Sequence, residues 1–200
     1  FDAFARREAY ATTGPRMTVR VFGGHGFTAS DWDGDWVRKG YSEGVPMGGE
    51  LEDTGTAPSF LISAMKDPDG ANLDRVQVIK GWLDASGEMQ EQVYNVVWSD
   101  AGSRRNTGGT LPPVGDTVHR EDATYTNSIG AAELRTTWSD PDYTEGQRAF
   151  YYVRALEIPT PRWTLYDAVR FGVTLSEEAM ADAVARERAY TSPIWLKSQS

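Results

Sequence analysis

Turns, not crossover helices, join the apolar runs of this chain, and nothing else in the sequence narrows the fold as much. Residues 75–83 and 89–98 are extended runs separated by Asp84-Ala85-Ser86-Gly87, which reads as a hairpin. In residues 16–22, Met17, Val19 and Val21 alternate with Thr18, Arg20 and Phe22, the period of a half-buried strand. Residues 59–65 read as another strand, followed by the turn Asp67-Pro68-Asp69-Gly70. In residues 131–138, Leu134, Thr136 and Trp138 oppose Glu133, Arg135 and Thr137, and residues 150–156 are apolar on both faces, as in a central strand of a packed sandwich. Parallel neighbours would need long crossover connections between such runs. The expected fold is therefore mainly β, an antiparallel β-sandwich of roughly seven strands.

Helices are expected only at the ends. Phe1, Ala3, Phe4, Glu8 and Ala11 form a helical pattern that begins without a capping side chain and stops at Gly14-Pro15, so it reads as a truncated N-terminal helix. Residues 166–172 and 176–190 look helical, with Thr174 and Ser176 as candidate caps, Glu177 and Glu178 in the first turn, and Met180, Ala183 and Val184 as an apolar face. Residues 192–196 return as a short strand. The stretches 23–57 and 99–116 read as irregular, the first long enough to be of functional interest.

Composition removes whole classes of chemistry. Among 200 residues there is no Cys and there are two His, His25 and His119, which excludes thiol nucleophiles, disulfides and Cys-ligated zinc. A net charge of −9 argues against a broad nucleic-acid surface. No apolar run approaches the ~20 residues of a membrane-spanning helix. Seven Trp, nine Tyr and seven Phe are too much apolar mass for a disordered chain. No nucleophile elbow, phosphate-binding loop, paired-histidine zinc motif or dinucleotide fingerprint is present.

Four weaker signals remain. Asp31, Asp33 and Asp35 alternate as calcium-binding acids do, but the Gly and Glu of a helix-loop-helix calcium loop are out of place: Gly34 is fourth and Ser42 twelfth. Asp67, Asp69, Asn72 and Asp74 form a second acidic stretch that is either a calcium loop or a turn leading into a strand. Arg6, Arg7, Arg16 and Arg20 make a local basic patch, suited to phosphate or carboxylate, or to a neighbouring surface. The aromatics at 150–152 with Trp163 and Trp195 are either a sugar-binding platform or core. These signals leave open a stand-alone carbohydrate- or calcium-binding sandwich.

Several blocks, in order, carry a family resemblance: Arg6-Arg7-Glu8-Ala9-Tyr10-Ala11-Thr12-Thr13-Gly14-Pro15-Arg16, Val45-Pro46-Met47-Gly48-Gly49, residues 73–82, residues 150–163 and Ser192-Pro193-Ile194-Trp195. Together they resemble the C-terminal part of the bacterial "domain of unknown function 3604" family, whose full-length members resemble the PHP (polymerase and histidinol phosphatase) metal-dependent hydrolases. The resemblance implies that residues 1–15 are the end of an upstream PHP-like domain and residues 16–200 a β-rich C-terminal domain with helices near 165–190. It implies that the metal ligands lie upstream, so that this segment carries no catalytic residue and no metal of its own. The partner implied is that upstream domain, with Arg7, Thr12, Thr13 and Arg16 at the border helping to bind an anionic substrate. A periplasmic or secreted location is implied as well.

Overall fold

A computed structural model describes residues 1–197; the last three residues of the expected 16–200 domain lie outside the described residues. The chain is mainly β, with two antiparallel-rich sheets packed face to face. The smaller sheet has the order β3 (Gly44–Pro46), β2 (Thr18–Gly24), β5 (Ser59–Met65), β8 (Glu133–Ser139). In the larger, seven-stranded sheet, β9 (Ala149–Glu157) is central. On one side it pairs with β6 (Leu73–Leu83), which pairs in turn with β7 (Met89–Trp98). On its other side its first half pairs with β13 (Ile194–Lys197) and its second half with β12 (Arg188–Thr191). β4 (Glu50–Glu52) lies parallel to β13, and β1 (Tyr10–Thr12) antiparallel to β12. A two-stranded pair, β10 (Thr160–Pro161) and β11 (Val184–Ala185), sits apart.

The core forms where the alternating faces of the sheets meet. Val19, Val21, Phe60, Ile62, Ala64 and Leu134 of the small sheet pack on Val76, Val78, Tyr151, Val153, Ala155 and Ile194 of the large one. Tyr151 and Val153 are buried while Phe150 and Tyr152 are half-buried, so β9 is central, as expected, but its two faces differ. One charged group sits inside this core. The Lys80 ammonium donates to Asp140 Oδ2 at 2.7 Å and to Asp142 O at 2.8 Å, and the Tyr151 hydroxyl donates to the same Asp140 oxygen at 2.7 Å. Burial, with Asp140 alongside, pushes the Tyr151 phenol far above its ordinary pKa.

Three expectations about local structure are corrected. The N-terminal helix is one turn, α1 (Asp2–Ala5), and residues 10–12 are strand: Tyr10 and Thr12 suit a pleated surface, and the open edge of β12 offers a ladder of hydrogen bonds. Residues 23–57 are not irregular. They hold a 3-10 turn (Ala29–Asp33), α2 (Trp36–Glu43), β3 and β4. Asp35 caps α2 by accepting from Arg38 N at 3.0 Å, and Trp32, Trp36 and Val37 cover Phe22 and Leu61 on the outside of the small sheet. Gly40 makes that approach possible, because a Cβ there would lie 2.4 Å from the Phe22 ring. Residues 176–190 are not one helix. Ser176 caps α4 (Glu177–Ala181), which ends at once, and 184–191 turns into β11 and β12. Helical spacing in a short run yields here to the unpaired edge of β9. Helix α3 (Trp163–Phe171) matches its expected place.

The core ion pair gives a direct test. Asp140→Ala strands the Lys80 charge and costs about 3–5 kcal/mol, whereas Lys80→Met with Asp140→Leu costs less than the single change. Urea unfolding of the three proteins measures both, and a loss under about 1 kcal/mol in Asp140→Ala contradicts the assignment.

Candidate functional site

The outer face of the seven-stranded sheet holds a groove of about 800 Å³. Its floor follows from strand register: Gly81 faces Phe150, and Phe150 faces Trp195, on adjacent strands. Because Gly81 has no side chain, the Phe150 ring settles over it; a Cβ there would lie 2.3 Å from the ring. The Phe150 and Trp195 rings stand 5.2 Å apart, tilted by 48°. Leu83 and Met89, at the end of the β6–β7 hairpin, form a wall, and Met89 is 87% exposed, while the Trp82 ring packs on the core beside Lys80. Charges ring the rim. Glu50 accepts from Arg7 at 3.2 Å and pairs with Lys197; these two cations, Lys197 foremost, hold its carboxyl below the usual range. Arg148 lines the groove and makes no ion pair among the described residues.

The expected aromatic platform is thus assembled in part. Phe150 and Trp195 join, with Tyr152 continuing along the same face to Tyr190, 6.4 Å away. Tyr151 points into the core, and Trp163 lies on α3, outside the groove lining.

The four residues expected to border an upstream domain do not converge. Arg7 lies on the groove rim, with a backbone φ of 61°. Thr12 sits in β1. Thr13 donates to Glu187 and accepts from Arg188 N at 3.0 Å. Arg16 lies on the loop before β2, its backbone N–H donating to Asp67 Oδ2 at 2.6 Å and its guanidinium 3.4 Å from Asp69. The other two arginines of that stretch come together instead: Arg6, paired with Glu8, and Arg20, exposed in β2, line one small concavity beside Tyr10 and Pro46.

The acidic stretches are already occupied. Asp31 binds Lys39 at 2.7 Å and Asp35 is a helix cap. Asp67 serves Arg16 and the backbone N–H of Asp69. Asp74 is fully buried against Arg75, Arg104 and Arg186. Among the described residues no group of three or more His, Asp or Glu is arranged to hold a metal. His25 Nε2 lies 2.9 Å from Glu52 O, and His119 is exposed.

What sequence reasoning missed is an arginine cluster on the same outer face: Arg75 and Arg104 at Asp74, with Arg154, Arg186 and Arg188 beside them. The signal was present, since Arg154 alternates with Tyr152 and Arg188 with Tyr190, but which strands lie side by side is not written locally.

These features define a two-layer β-sandwich with an open, aromatic and cationic outer face. The chain belongs to the family described as protein of unknown function, DUF3604, which matches it over residues 1–198. No curated protein and no solved structure matches it.

Behind Arg16 and Asp67 lies Glu157, 1% exposed, whose Oε1 has no hydrogen-bond partner. Burial first, then Glu187 and Asp67, raises its carboxyl to about 7. A group whose pKa is raised on folding favours the native state below its unfolded value, and that stability fades as pH rises through the folded value. Relative to Glu157→Gln, the wild-type chain should therefore lose about 3 kcal/mol between pH 4.5 and pH 8. Parallel pH–stability curves for the two proteins contradict this.

Proposed function

We propose that this chain is the non-catalytic β-rich region of a larger bacterial, PHP-like, metal-dependent hydrolase of phosphoesterase type. In that protein the divalent metal would be held by residues of the upstream domain, and the chemistry it would supply is a bound water of lowered pKa. Residues 1–15 form the border with that domain, and the outer face of the large sheet is this region's binding surface. The observation that carries the reading is how this chain's ionisable groups are used. Asp31, Asp67, Asp74 and Asp140 are engaged with lysine, arginine or backbone N–H partners, whereas the accessible concavity is floored by Gly81, Phe150 and Trp195. Such a surface binds and positions, and the carboxylate on its rim, Glu50, is held by the cations Lys197 and Arg7.

A second reading, a stand-alone carbohydrate-binding module, is favoured by the exposed Phe150–Trp195 pair, whose rings suit the apolar face of a sugar. The calcium form of that reading draws no support from Asp67, Asp69 and Asp74, which face arginines and backbone.

Turnover of p-nitrophenyl phosphate with manganese or zinc separates the readings. The polypeptide extended through its upstream reading frame should hydrolyse the ester, and the 200-residue chain alone should not; metal-dependent turnover by the chain alone overturns the proposal. For the second reading, an oligosaccharide panel followed by tryptophan fluorescence should show saturable quenching that Trp195→Ala weakens at least about tenfold, the loss of one aromatic contact. No quenching by any member of the panel removes that reading.

A further inference from the structure

Five arginines gather on the outer face of the large sheet, three of them on a single carboxylate. A β-bulge between Leu73 and Arg75 makes Asp74 the extra residue of β6 and turns its side chain toward them. Arg75 Nε reaches Asp74 Oδ2 at 3.0 Å and Arg186 Nη1 reaches the same oxygen at 3.3 Å, while Arg104 Nη2 reaches Oδ1 at 2.7 Å. Arg104 is fully engaged, donating also to Pro112 O and Ser99 O. Arg75 and Arg186 use only one nitrogen each in these bonds. Arg154 and Arg188 make no ion pair among the described residues and bond to neutral acceptors: Arg154 to Gln77 Oε1 at 2.7 and 2.9 Å, Arg188 to Arg186 O at 3.2 Å and the Tyr190 hydroxyl at 3.4 Å.

Register places these groups on one face. Arg75, Leu156 and Arg188 form one row across three strands, and Gln77, Arg154 and Tyr190 form the next. The nearby carboxylates point elsewhere: Glu187 takes the Thr13 hydroxyl and Glu157 lies buried against Leu73 and Gly70. Glu91, opposite Gly81, lines the groove and acts on Tyr152, beyond the arginine rows. In a chain of net charge −9, Asp74 offsets this concentration of guanidinium only in part, since three of the five arginines pair with it and the other two face neutral acceptors. Guanidinium forks match the oxygen spacing of phosphate and sulfate.

We infer that this face binds a tetrahedral oxyanion, phosphate or sulfate, held by Arg75, Arg154, Arg186 and Arg188, either free or as the ester of a small molecule with a flat apolar body. The electrostatic field agrees. Tyr190 is held below the ordinary phenol range, first by the Arg188 hydrogen bond, while every other tyrosine with a displaced pKa is raised. The ester body has a place to lie. Same-face residues along β9 are about 7 Å apart, so Tyr152 and then Phe150 with Trp195 continue from the arginines into the groove. The inference does not depend on an upstream hydrolase, since every group it uses is in this chain.

The test titrates the chain with inorganic phosphate, inorganic sulfate and phenyl phosphate against sodium chloride of equal ionic strength, followed by calorimetry and thermal unfolding. Phosphate and sulfate should bind saturably and raise the unfolding midpoint. The Arg186→Gln/Arg188→Gln chain should lose at least about tenfold in affinity, and Arg6→Gln should match wild type. Tighter binding of phenyl phosphate than of phosphate assigns the ester; equal binding assigns the free anion. A tyrosine titration of the wild-type chain supplies a readout independent of how the variants fold: phosphate should move the Tyr190 ionisation upward, a component that Tyr190→Phe removes. No saturable binding beyond sodium chloride, equal affinity in the double variant, or a Tyr190 ionisation indifferent to phosphate each overturns the inference.

Discussion

The sandwich is organised around one buried cation. Lys80 lies on β6, beside the central strand, and points between the sheets, where Asp140, the Asp142 carbonyl and the Tyr151 hydroxyl close around it. A lysine in such a place is tolerated only when its charge is matched and its donors are used. The same contacts fix the segment after β8, since Tyr94 of β7 donates to Asp142 at 2.7 Å and Trp138 packs on both Phe60 and Tyr94. The inner faces of β6, β7 and β9 are thereby tied to the small sheet. Their outer faces remain as a rigid platform, and both the aromatic groove and the arginine rows are read from that platform.

Much of this was legible in the sequence because period two survives any tertiary context. The 75–98 hairpin, the strand at 59–65 and the alternation of Met17, Val19 and Val21 needed nothing beyond residue spacing. The errors share one cause. Residues 10–12 and 188–191 are strands because an edge of the large sheet is open to them, not because of their own spacing, and α2 forms because Phe22 and Leu61 present an apolar outer face to Trp32, Trp36 and Val37. Where a partner decides the structure, the local pattern is silent. The site divides the same way. Phe150 and Trp195 stood out as aromatics, yet only register makes them neighbours. The basic stretch at residues 6–20 stood out by count, yet only Arg6 and Arg20 share a concavity while Arg7 and Arg16 lie elsewhere, whereas Arg75, Arg154 and Arg188, far apart in sequence, share one face.

Charge, more than shape, links the fold to a function. Most acids in the two sequence stretches that suggested calcium are engaged with cations or backbone N–H groups of this chain, so their oxygens are satisfied internally. The arginines are not similarly matched. An acidic protein that gathers three guanidiniums on Asp74 and two more on the same face, outside its larger sheet, concentrates positive charge there, next to its aromatic groove.

The most direct measurement of this account is amide chemical-shift mapping of the chain with inorganic phosphate at constant ionic strength. The account predicts saturable shifts concentrated at residues 75, 154, 186, 188 and 190, extending to 150, 152 and 195 with phenyl phosphate. Shifts centred on Arg6, Arg7, Arg16 and Arg20, or spread evenly over the surface, contradict it.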